Sequence, residues 1–147
     1  MNGGAMERRW SPRARSFARM LVVVASLGTL AMAAWLGAVI LWVLPAHDPE
    51  RLPLWSKIAV GLVAYGVLGL VALARHERFP WIDSIARIAS VAACGAGTLV
   101  VASMVQAPPG PFEGYLLVMG IWIVFHGVAL LAHLAIRAGA EGRHANS

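Results

Sequence analysis

A chain of 147 residues that is 59% hydrophobic and only 13% charged, with mean hydropathy +0.71, carries more apolar surface than a water-soluble globule of this size can hide. Its single cysteine, Cys94, excludes an internal disulfide framework and a cysteine-rich metal site. The net charge of +5 would suit nucleic acid, yet five arginines crowd into residues 8 to 19 and no second basic stripe follows; the charge reads as a membrane-topology signal, and no nucleic-acid partner is expected.

Residues 1–19 form a basic tail with Arg8, Arg9, Arg13, Arg15 and Arg19. A short interfacial helix is possible over residues 7–19, which Pro12 would confine to its beginning or interrupt. The first apolar segment, 20–44, is longer than the core of about 7 to 15 residues of a cleaved signal peptide, so it is expected to remain as a membrane span. Ala25, Thr29, Ala33 and Gly37 recur in it at four-residue spacing, a ladder of small residues that lets a neighbouring helix approach closely in lipid.

A proline-punctuated connection, "PAHDPERLPLW", leads to a second span at 55–74 with Tyr65 near its middle. The next connection, "RHERFPWIDS", carries His76 and leads to a third span at 86–106. There Ala89, Ala93 and Gly97 form a second small-residue ladder, flanked by Ser90, Cys94, Thr98 and Ala102, which predicts the most crowded and buried helix of the four. "QAPPGPFEG" precedes the fourth span, 115–136, and a polar tail occupies 137–147. Each segment has about the 20 apolar residues needed to cross a hydrocarbon core of about 30 Å. All eight prolines lie outside the spans, where helices stop.

The expected fold is therefore an all-α integral membrane protein, four helices in an up-down-up-down bundle. Arginines gather in the N-terminal tail, the second connection (Arg75, Arg78, with Arg87 just beyond) and the C-terminal tail (Arg137, Arg143). The first and third connections are balanced or acidic, so the positive-inside rule puts both termini in the cytoplasm. A high Arg-to-Lys ratio suits a GC-rich bacterial source and hence an inner-membrane location.

Ionisable groups in a membrane are functional candidates by default, and no Asp, Glu, Lys or Arg falls in the interior of any span. That disfavours a charge-lined ion path. It leaves the histidines of "IVFHGVALLAHLAIR". His126 and His133 share one helix face about 10 Å apart, too far to ligate one haem iron between them. Each would need a partner on another helix, and His76 stands at about the right depth for His133. Three or four ligands do not converge, so no metal site is expected.

Depth counting gives a milder role. Thr29, Tyr65, Cys94 and His126 all fall eight to ten residues from the same side of their spans, one polar group per helix at one level. A buried imidazole needs hydrogen-bond partners, and Thr29 or Tyr65 can supply them, fixing helix register. The sharper alternative is that this layer lines a small pocket for a quinone head group or lipid; across the chain, the candidate cofactor-binding residues for haem or quinone are His126, His133, His76 and Tyr65. No catalytic set is expected, since no carboxylate is within reach of His126. The sequence thus predicts a non-catalytic accessory or assembly subunit of a larger membrane complex, partnered by the bilayer and by other membrane subunits or its own copies. A haem- or quinone-binding redox anchor and a small-solute permease are the alternatives.

Overall fold

The computed structural model describes residues 11–43, 45, 49–74, 80–106 and 111–144. Helix α1 runs Pro12–Trp42, a short 3-10 turn spans Pro49–Arg51, and α2 (Leu52–Ala74), α3 (Pro80–Gln106) and α4 (Pro111–His144) follow. Each of the four is long and apolar enough to cross a membrane. Helix is the form such a sequence must take in lipid, because it satisfies every backbone N–H and C=O within the segment.

Three of the four helices begin with proline, whose fixed φ suits the first turn and whose missing N–H would be unsatisfied there anyway. At α1, Ser11 is the N-cap: its Oγ accepts from the Ala14 N–H at 3.2 Å. Pro12 stands at the start of α1, the position to which a proline is confined in a helix, and residues 12–19 are the first turns of that helix, continuous with the span. Likewise α4 continues past residue 136 to His144.

Neighbouring helices are antiparallel. Ser26 and Leu30 of α1 meet Gly69 and Gly66 of α2, and Cys94 and Gly97 of α3 meet Gly127 and Gly120 of α4. Helix α4 also lies along α1, with Tyr115 beside Met32 and His126 beside Ser26. The order around the bundle is α1, α2, α3, α4, with a thin seam between α2 and α3.

Among the described residues two apolar clusters fill the interior. One comprises Val22, Ala72, Ala86, Ala129, Leu130 and Leu134, near the ends of α1 and α4 that carry the chain termini. The other comprises Ala33, Leu36, Trp55, Leu62 and Met119, toward the opposite end. Between them lies a buried polar layer.

Helix α3 departs from expectation. Only 11% of its apolar window is buried, against 28%, 28% and 33% for α1, α2 and α4, so it is the most peripheral helix and not the most crowded. Its small residues permit close approach to α4 on one face: a Cβ at Gly97 would come 2.8 Å from the Gly120 carbonyl oxygen. Small side chains cannot by themselves choose between a helix neighbour and lipid, which are equally apolar. With α2 touching it only lightly, Ala92, Gly95, Ala96 and Ala102 are left exposed.

Candidate functional site: the polar layer around His126

His126 lies on α4 at a level where α1 presents two hydroxyls, and it is fully buried. Its Nε2 is 3.1 Å from Ser26 Oγ and its Nδ1 is 2.8 Å from Thr29 Oγ1. The proton positions follow from Thr29. Its hydroxyl donates to the Ala25 carbonyl, 2.9 Å away and one helical turn back. A hydroxyl has a single hydrogen, so toward His126 Thr29 Oγ1 can only accept. Nδ1 therefore carries a proton and donates, Nε2 keeps a lone pair, and Ser26 donates to it. The imidazole is neutral, in one tautomer, with both nitrogens engaged.

Tyr65 of α2 packs its ring on the imidazole, centroids 4.5 Å apart, and does not hydrogen-bond it. Its hydroxyl instead donates across the thin α2–α3 seam to Ser90 Oγ at 3.3 Å. Cys94 stands one turn along α3 with its thiol 3.8 Å from the Val124 carbonyl, a weak contact. Helices α1, α2, α3 and α4 thus each contribute to one level. The layer brings together Thr29, Tyr65, Cys94 and His126, the residues that share a depth in sequence, and adds Ser26 and Ser90.

Two further donors tie α4 to α1. Trp122 Nε1 donates to the Ala25 carbonyl at 3.2 Å, and the Tyr115 hydroxyl donates to the Met32 carbonyl at 3.3 Å while its ring packs on Trp35 with centroids 4.1 Å apart. The indole fits because residue 28 is glycine; a Cβ there would overlap the Trp122 ring.

The other candidates are placed apart. His133 is buried on the same helix but lies beyond the apolar cluster of Ala129 and Leu130, toward the chain-terminal end, where Arg19, Arg137 and Asp83 act on it electrostatically. His76 lies outside the described residues, so its pairing with His133 has no geometry here. Among the described residues no three His, Cys, Asp or Glu side chains come together as a metal site would require. Of the small residues expected at helix contacts, Ala25, Thr29, Ala33 and Gly97 are buried, Ala89 and Ala93 are half-buried, and Gly37 has open space around the position of a Cβ.

Sequence reasoning missed Ser26 and Trp122, and it named Ser90 only as a small residue beside the α3 ladder. Ser26 had a usable signal: three residues before Thr29, it lies on the same face of α1.

Chemically, the layer is a set of closed hydrogen bonds. A haem iron or metal bound at His126 would have to displace Ser26 from Nε2, because Nδ1–H has no lone pair to offer. No family model, curated protein or solved structure matches the chain, so its geometry and sequence carry the functional argument.

Proposed function

We propose that this chain is a bacterial inner-membrane protein with both termini in the cytoplasm, acting as a non-catalytic accessory or assembly subunit of a larger membrane complex. The observation that carries the reading is the contrast between two surfaces. His126, the titratable group deepest in the bundle, is engaged at both nitrogens in holding α4 to α1. Helix α3, in contrast, turns Ala92, Gly95 and Ala96 away from its own bundle. Small residues on a lipid-facing helix suit close backbone contact with another helix, and a partner subunit or second copy would supply it. The arginine distribution supports the orientation.

Cysteine cross-linking tests this reading. With Cys94 replaced by serine, Ala96→Cys in native membranes should capture a stoichiometric partner or a second copy through a short bifunctional maleimide, and Val63→Cys on the exposed face of α2 should not. Random, weak products from both sites would overturn it.

A quinone-binding anchor keeps one observation in its favour. Tyr65, only half-buried, sits in the thin α2–α3 seam, where its phenol could turn from Ser90 to a carbonyl arriving from the lipid. Quinone that co-purifies with the native protein but not with a Tyr65→Phe variant would favour this alternative.

A further inference from the structure

Helix α1 is too long for the membrane it crosses. Its 31 residues extend about 46 Å, against a hydrocarbon core of about 30 Å. No charged residue occurs from Met20 to Trp42, so the excess lies in the turns that carry Arg13, Arg15 and Arg19. Helix α4 is uncharged from Gly114 to Ile136, and Arg137 follows.

These two boundary arginines lie toward the same end of the bundle. From the shared level of Ser26 and His126, Arg19 is about 11 Å along α1 and Arg137 about 17 Å along the antiparallel α4, a difference of about one helical turn. Both act electrostatically on His133, and Arg137 reaches across to α2, where it donates to the Ala72 carbonyl at 3.5 Å near the helix C-terminus. One carboxylate, Asp83, joins them there. Counting the described side chains, this end of the bundle presents five arginines (13, 15, 19, 87 and 137) against Asp83, whereas the other presents Arg51 and Lys57 against Glu50.

We infer that this end binds an anionic phospholipid, its phosphodiester held between Arg19 of α1 and Arg137 of α4 and an acyl chain lying along α1. Two guanidiniums at the edge of an apolar run stand at phosphate depth, and each offers the forked donors that a phosphate oxygen pair accepts. Inward of Arg19, Met20, Val23, Val24 and Leu27 are 55%, 38%, 48% and 54% exposed and share one face of α1, apolar surface where the chain of such a lipid can lie. The inference does not depend on any partner subunit or on which leaflet this end occupies.

Native mass spectrometry of the full-length protein, equilibrated in mild detergent with equal amounts of phosphatidylglycerol and phosphatidylcholine, tests it. Wild type should retain phosphatidylglycerol in preference. Arg19→Gln should weaken that retention about fivefold, as loss of one near-surface charge implies, and Arg19→Lys should restore most of it. Arg137→Gln also removes the bond to Ala72 and could perturb the fold, so Arg19 carries the test. Arg51→Gln at the opposite end should change nothing. Equal retention of the two lipids by wild type, or equal loss in the Arg19 and Arg51 variants, would overturn the inference.

Discussion

Gly69 of α2 stands where any side chain would strike His126 of α4: a Cβ at this position would lie 2.8 Å from Nε2 and would overlap Ser26 Oγ. The absence of a side chain on α2 is thus what lets the bond between α1 and α4 form beside it. Gly69→Ala should separate Ser26 from His126 and cost about 1–3 kcal/mol, the usual range for overpacking a filled interior. Gly61→Ala, eight residues away on the same helix with open space around the new methyl, should cost nothing measurable. Unfolding in a titration of mild detergent with SDS gives both numbers.

The tautomer argument leads to a graded series at residue 126. Glutamine offers an N–H for Thr29 and a carbonyl for Ser26, so His126→Gln should keep most of the stability. His126→Leu leaves both hydroxyls without the imidazole and should destabilise by about 1–2 kcal/mol, the upper part of the range for hydrogen bonds between membrane helices. Thr29→Val removes the acceptor for Nδ1–H at nearly constant volume and should fall near the leucine variant. If all three variants melt together with wild type, the layer does not hold the helices.

The four spans were legible because a bilayer imposes one strong rule: about 20 apolar residues, closed by proline and charge. The polar layer was legible in part for the same reason. Its depth could be counted for Thr29, Tyr65, Cys94 and His126, whereas which hydroxyl bonds the imidazole depends on helix rotation, which counting does not give. Ser26 was passed over because a serine inside a span is unremarkable until the opposite helix is in place. The burial of α3 was misjudged for a physical reason: alanine and glycine suit a packed face and a lipid-facing one alike. For Pro12 the sequence left a helix start and an interruption both open, because the capping role of Ser11, which selects the start, was not weighed beside it.

Trp122 and Gly28 form a second lock between α1 and α4, separate from the histidine. Trp122→Phe keeps most of the apolar area and loses the bond to the Ala25 carbonyl, so about 0.6 kcal/mol should be lost, the average for such bonds in membrane proteins. Gly28→Ala should cost more, because its methyl would displace the whole indole. Trp122 fluorescence is overlaid by the other tryptophans, so the SDS titration remains the better measurement.

Glycines 95 and 97 lie on different faces of α3, and together they separate folding from association. Gly97 is buried against Gly120 and Val124 of α4, and leucine there must force the two helices apart. Gly97→Leu should therefore reduce the stability of the isolated chain by several kcal/mol or prevent folding. Gly95 has open space at its Cβ position, so Gly95→Leu should leave the isolated chain as stable as wild type. If α3 docks a partner, that same leucine should release it, visible as a smaller species on blue-native gels of gently solubilised membranes. A Gly95→Leu chain that is stable and still runs in the full-sized complex would mean that the outer face of α3 meets only lipid, and the search for the partner surface would move to the exposed face of α2.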